Sequence, residues 1–317
     1  MADDDEGRAI GDGYGRADVG SFEDRPQELG LQWRAADLAC SSLPSPGASL
    51  LTVRRSGAVI VLASLALVGC ANVIPRVPVQ VQAANGRFVV SLTEQVLNEA
   101  AHHSVDLRRL TEADLERIDA LLPGPTTTIT ITVGDPDQIL GAVGATGFTN
   151  PETGAITIGL YPSWADEPLD VTQGLARTLA HEVDRSVRIT TGAGLGKSVL
   201  DQMITDGVAT AFGQSAFPGP ADPWVDALTA KQECQQWQHL EPVLSTVGIH
   251  DEVLTGGSVS SAIFGESSMP PLTGLAIGYQ IVADYLARTG KTSWTALAAT
   301  PTKAIFQASE YAPCPAG

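Results

Sequence analysis

Over the first fifty residues, polar and apolar positions follow no period, and the composition predicts disorder. At Val53 the pattern changes: Arg54 and Arg55 precede an apolar run, Ala58–Val68, that ends in Gly69-Cys70. Beyond Arg76 the patterns are those of folded elements. Ser91-Leu92-Thr93-Glu94 has the form of a capping box and predicts a helix of about ten residues with Ser91 as its cap. Leu115, Ile118, Leu121 and Leu122 mark one face of a second helix from Thr111, stopped by Pro123-Gly124-Pro125. Thr126–Val133 alternates threonine with isoleucine and predicts a half-buried strand. Asn150–Gly154 is a turn, and Ala155–Tyr161 alternates as a further strand. The period then lengthens. Val171, Leu175, Leu179, Val183 and Val187 recur every fourth residue and predict a helix from about Asp170 to about Ile189. Ser198 and Asp201 cap a following helix that ends near Gly213. Past the linker Pro218-Gly219-Pro220, the expected elements are a helical stretch at Pro223–His239, a helix from Leu272 to Arg288 stopped at Gly290, and a short helix after Pro301. No internal repeat is present. The predicted class is α+β: a small, mostly antiparallel sheet followed by a helical half.

Composition adds the setting. The chain has 317 residues, a net charge of −17 and a pI near 4.5; 44% of its residues are hydrophobic and 17% charged. That suffices for a real core, and the lack of any basic stretch argues against nucleic acid as a partner. Residues 1–50 carry ten Asp/Glu against four Arg. The arginine pair, apolar run and small residues at 53–69 have the layout of a secretory signal peptide. The ending Leu67-Val68-Gly69-Cys70 resembles the lipobox of bacterial lipoproteins, which implies cleavage before Cys70 and a membrane anchor through a lipid on that cysteine. A transmembrane helix is the competing reading, because Arg55 and Arg76 bracket 20 uncharged residues, although Asn72 and Pro75 interrupt the second half. Both readings place the rest of the chain outside the cytoplasm. A signal fifty residues into a chain is anomalous, so residues 1–52 are expected to be a disordered acidic segment or a mis-assigned start. Residues 70–85, with Pro75 and Pro78, read as a tether, and 86–317 as the domain. The mature chain would have 248 residues and a net charge of −13. With Cys70 lipidated, Cys234 and Cys314 remain as a pair in an oxidising compartment and predict a disulfide; two free buried thiols are the alternative.

Candidate chemistry lies on the helix of the four-residue stripe, which reads Leu179-Ala180-His181-Glu182-Val183-Asp184-Arg185-Ser186-Val187-Arg188. At about 100° per residue, His181 sits roughly 200° from Leu179, so His181, Glu182 and Arg185 face away from the stripe, where a cleft is expected. In the zincin pattern H-E-x-x-H, two histidines one turn apart hold zinc and the glutamate is general base on the metal-bound water. Here the first histidine and the glutamate are present and Arg185 stands at the second histidine. A guanidinium has no lone pair to give a metal. Asp206, on the following helix, is a candidate third ligand, and Gly207 and Ala209 beside it permit close helix approach.

The run from Gly147 to Ala312 resembles the family of zinc-dependent proteases catalogued as DUF2268. The resemblance is carried by the strand Gly154–Leu160, by Ala180-His181-Glu182 with Arg188, by Asp206-Gly207-Val208-Ala209, and by a C-terminal pattern. That pattern is Phe264-Gly265 before Pro270-Pro271, then Ile277-Gly278-Tyr279-Gln280-Ile281-Val282 and Tyr285-Leu286. It implies a zincin-like fold, zinc as cofactor, a peptide or protein substrate, His181 and Asp206 as metal ligands and Glu182 as general base. The chain departs at Arg185, where the family has a ligand, and at Asp206, where it has a glutamate one methylene longer. Arg185 would supply a fixed positive charge in place of zinc, paired with Asp206 or Glu182; alternatively His181, Asp184 and Asp206 would hold a metal.

The remaining histidines, His102, His103, His239 and His250, read as surface or hydrogen-bonded residues rather than ligands. Tyr279 is either a donor to a transition-state oxyanion or helix packing, and packing is favoured. Thr191–Ser198 mimics a nucleotide-binding P-loop, but Thr191 stands where that pattern needs glycine, and the segment follows a helix; Ser198 reads as a cap and no nucleotide is expected. Function is thus a lipid-anchored extracytoplasmic zinc-protease-like domain whose activity is weak, altered or lost, or a non-catalytic scaffold or envelope lipoprotein that binds a peptide or protein.

Overall fold

A computed structural model describes residues 78–134, 144–161, 171–247, 270 and 272–314. The acidic segment 1–52, the signal 53–69, the anchor Cys70, His250 and the Phe264-Gly265 part of the C-terminal pattern lie outside the described residues.

Five strands make one sheet: β1 (Val79–Ala83), β2 (Phe88–Leu92), β3 (Thr127–Val133), β4 (Ala145–Thr149) and β5 (Ile156–Leu160), in the order β1-β2-β3-β5-β4. The two outer pairings are antiparallel and the two inner ones, β2 with β3 and β3 with β5, are parallel. The parallel pairing of β2 with β3 follows from what joins them. The connection carries two helices, α1 (Glu94–His102) and α2 (Leu107–Leu121), long enough to return the chain to the same end of the sheet. The sheet starts at Val79, inside the stretch expected to be tether; Val79-Gln80-Val81-Gln82-Ala83 alternates and pairs with β2 as an edge strand.

Two caps differ from expectation. Ser91 lies within β2, paired with Gln80 and Thr130, so it caps nothing; Thr93 caps α1 by accepting from the Val96 amide. Helix α2 begins four residues before Thr111, capped by Asp106. Leu115, Ile118 and Leu122 are buried, whereas Leu121 is exposed, since six residues on from Leu115 it lies about 120° round the helix and off their face.

Helix α3 (Val171–Thr191) buries Leu175, Leu179, Val183 and Val187 against the sheet as the stripe predicts. Helix α4 (Val199–Ala216) is buried almost all round and joins the two halves. Its C-terminal Phe212 and Ala216 belong to the core of the sheet with α1, α2 and α3; Val199, Met203, Ile204 and Val208 belong to the core of the helical half. That half contains α5 (Ala230–Leu240), α6 (Thr273–Thr289), α7 (Trp294–Ala298) and α8 (Thr302–Ser309). Helix α5 begins later than predicted. Thr229 and Gln232 form a capping box at its start, and Trp224 and Leu228 lie in the turns before it. Cys234 on α5 and Cys314 near the chain end are disulfide-bonded, which staples the tail to the helical half. Among the described residues no helix is long and apolar enough to cross a membrane.

Candidate active-site cleft

His181, Glu182 and Arg185 project from α3 toward the sheet edge and α4 rather than to bulk solvent. They line a cavity of about 230 Å³ with Ala145, Thr146 and Gly147 of β4, Asp206 and Ala209 of α4, and Trp224 and Leu275. The i, i+4 spacing of His181 and Arg185 sets both side chains on one face, one turn apart. Asp206 reaches them from α4, and beside it, at Gly207, α4 and α6 cross without side chains at the contact. A Cβ on Gly207 would lie 2.2 Å from the Gly278 carbonyl oxygen, and one on Gly278 2.0 Å from that of Met203.

The charges form one cluster. Arg185 Nη1 donates to Asp206 Oδ1 at 2.6 Å, and Arg185 Nε lies 3.7 Å from Glu182 Oε2. His181 Nε2 is 3.3 Å from the same Asp206 oxygen. Both expected pairings of Arg185 are therefore present, the Asp206 one as a direct hydrogen bond. Burial pushes the Asp206 carboxyl up, but Arg185 and His181 outweigh it and hold it below the usual carboxylate range. Burial likewise opposes a charged His181, yet the hydrogen bond with Asp206 and the nearby Glu182 and Asp206 charges hold its pKa above the ordinary value. The two carboxylates are almost fully buried, while the Arg185 and His181 side chains keep 19% and 17% of their surface exposed. Donors and acceptors of the cluster both line the cavity, with the two donor side chains the more exposed.

Glu182 is locked from β4. Thr149 Oγ1 donates to its Oε2 at 2.6 Å, and Gly147 leaves room for it, since a Cβ there would stand 2.3 Å from Glu182 Cγ. The turn after β4 is tied to the same helix: Ser186 Oγ donates to the Gly154 carbonyl at 2.8 Å. Arg177 holds the opposite wall, donating to the carbonyls of Phe217 and Pro220 and pairing with Asp222 at 2.9 Å; Trp224 Nε1 donates to Thr210. Thr149, Gly147, Arg177 and Trp224 were not singled out by sequence. The one available signal was the five-residue stretch Ala145–Thr149 directly before the Asn150 turn, which marks a hairpin partner for β5.

The donor set does not fit zinc. His181 and Asp206 offer one imidazole nitrogen and one carboxylate, and the third position is filled by a guanidinium bonded to that carboxylate. Among the described residues no group of three or more His, Cys, Asp or Glu side chains is arranged to hold a metal ion. Asp184 does not complete the set: it is fully buried away from the cavity, both carboxylate oxygens lack a hydrogen-bond partner, and burial pushes its pKa up to about 6 against the pull of Arg188, His181 and Arg185. His102, His103 and His239 lie on α1, just after it, and on α5, and none lines the cavity. Tyr279 packs with Trp224, Val225 and Leu275 and does not line the cavity either, as packing requires. In the P-loop-like segment the amides of Lys197 and Ser198 donate to Asp201 Oδ2, completing the capping box of α4. A side-chain carboxylate sits where a phosphate would have to be cradled.

A family model described as "Predicted Zn-dependent protease (DUF2268)" matches residues 107–307. No curated protein and no solved structure matches the chain.

Proposed function

This chain belongs to the DUF2268 family, and from that premise we propose that it is a lipid-anchored, extracytoplasmic peptide-binding protein whose protease-type cleft has lost zinc-dependent hydrolysis. The observation that carries the reading is the 2.6 Å bond from Arg185 to Asp206, which ties two of the three ligand positions to each other. Residual hydrolysis would need Glu182 as a base, and its Oε2 is engaged by Thr149 and faced by Arg185.

The cleft wall favours an extended peptide. Strand β4 ends the sheet, and among the described residues no strand pairs with its outer side. The hydrogen bonds at Gly144 with Tyr161 and Asn150 with Ala155 fix the alternation of the β4–β5 ladder. By that alternation the backbone N–H and C=O groups of Ala145 and Gly147 point away from β5, beside the cavity they line. An added strand gains main-chain hydrogen bonds there, with a carbonyl available to the donors of Arg185 and His181 and an apolar side chain to Trp224 and Leu275. A cavity of about 150 Å³ holds a benzene ring, so 230 Å³ accommodates one large side chain. The disulfide supports the extracytoplasmic setting, together with the signal and the Leu67–Cys70 lipobox.

The test is a peptide library presented to the purified protein with and without chelator, read by capture and by mass spectrometry of the products. Intact peptides retained equally with chelator are expected. Cleaved products that vanish on chelation would overturn the proposal, and so would a failure to retain any peptide.

A further inference from the structure

We infer that Arg185 takes over the position and the charge of the metal in this chain, so that the centre is metal-independent, and that a zinc site lies latent beneath it. The cluster alone carries this, whether or not a peptide binds. Asp206 is withdrawn from water and needs a cation. In a metal site that cation is the ion, about 2.0–2.2 Å from a carboxylate oxygen. Here the hydrogen of the Arg185 Nη1–H group occupies that approach to Oδ1, with the nitrogen at 2.6 Å. With the guanidinium bonded to Oδ1 and His181 Nε2 3.3 Å from the same oxygen, an ion would have to displace the guanidinium, whose like charge repels it. Glu182 Oε2 at 3.7 Å from Nε adds a second negative group on the same cation. The guanidinium therefore stands among the groups that would face a metal, His181, Asp206 and Glu182, and it is tethered by the backbone.

The rest of the ligand frame is still built. His181 and residue 185 share a face of α3 one turn apart, and Asp206 of α4 stands within 3.3 Å of both side chains. Replacing only the side chain at 185 by a ligand restores two nitrogens at i, i+4 and a carboxylate. Asp184 does not contribute, because it is buried off the cavity beside Arg188.

The experiment measures zinc content and thermal unfolding of the full-length protein and of Arg185→His, each with zinc and with chelator. The native protein is expected to hold no zinc and to melt at the same temperature in both. Arg185→His is expected to take up close to one zinc per chain, and zinc at about a hundredfold over its Kd should raise its melting temperature by about 5–10 °C. Arg185→Cys, which offers a thiolate at the same place, stands in should the histidine variant not fold. Asp206→Ala added to either should abolish uptake. Stoichiometric zinc in the native protein, with melting lowered by chelator, would overturn the replacement. Folded variants that take no zinc would overturn the latent site. Neither result depends on whether a peptide binds.

Discussion

Arg185→Met tests the energetic core of this account. The change keeps most of the aliphatic length and removes the cation. Asp206 then stays buried at 2% exposure with His181 as its remaining partner. Removing one member of a buried ion pair costs about 3–5 kcal/mol, because the other charge is left without compensation. For a domain of this size each kcal/mol moves the melting temperature by about 2–4 °C, so a drop of about 6–20 °C is expected near pH 7. The pH dependence gives a sharper reading. In the native protein the Asp206 pKa is held below its unfolded value, so the pair's contribution is present above about pH 4 and is lost as pH falls through the folded value. In the variant, burial without Arg185 raises the same group, and the penalty grows as pH rises from about 4. The two proteins should therefore converge toward pH 4 and diverge toward neutrality. Adding Asp206→Asn to Arg185→Met should recover much of the loss, since the stranded charge is gone. The assay is circular dichroism melting between pH 4 and pH 7.5. A melting temperature within 2 °C of native at pH 7, or a pH-independent difference, would refute the claim that Arg185 neutralises Asp206 in the interior.

Other expectations use the same logic. Gly278→Ala puts a methyl group 2.0 Å from a backbone oxygen of α4 and should cost roughly 1–3 kcal/mol or more in denaturant unfolding, because backbone cannot swing aside. Asp184→Asn removes a buried carboxylate whose pKa is raised from 3.8 to about 6. The native form pays for ionising it as pH rises through that window, so the variant should gain about 3 kcal/mol on the native protein between pH 4 and pH 7, read from paired unfolding curves. Cys234→Ser opens a crosslink spanning 80 residues and should lower stability by about 3–5 kcal/mol, matched by mild reduction of the native protein.

Much of the helical half was legible because its signals are local. The stripe from Leu175 to Val187 predicts α3 and the face it buries, and spacing alone puts His181 and Arg185 on the same side of it. Ser198 with Asp201, and Gly290 with its left-handed backbone, mark helix ends by chemistry confined to a few residues. Where two local signals competed, tertiary context decided. Ser91 offers the same cap chemistry as Thr93, but the strand needs Ser91 for its ladder, so the helix starts later. Val79–Ala83 has a two-residue period too short to distinguish from an extended tether until β2 is present to pair with it.

The sequence by itself determined that Arg185 could not be a metal ligand and that Asp206 was a candidate to meet it, because both follow from side-chain chemistry and helical spacing. Only the tertiary structure decided that the two bond directly, across 21 residues of chain. It alone decided that Thr149, 33 residues earlier in the chain, and Gly147 on the same strand hold Glu182 in place, and that the Arg185 and His181 side chains are the more exposed members of the cluster. Those facts depend on how closely α4 approaches α6 and on which strand ends the sheet. Packing sets both, through contacts between residues far apart in the chain, and no period along the sequence records them.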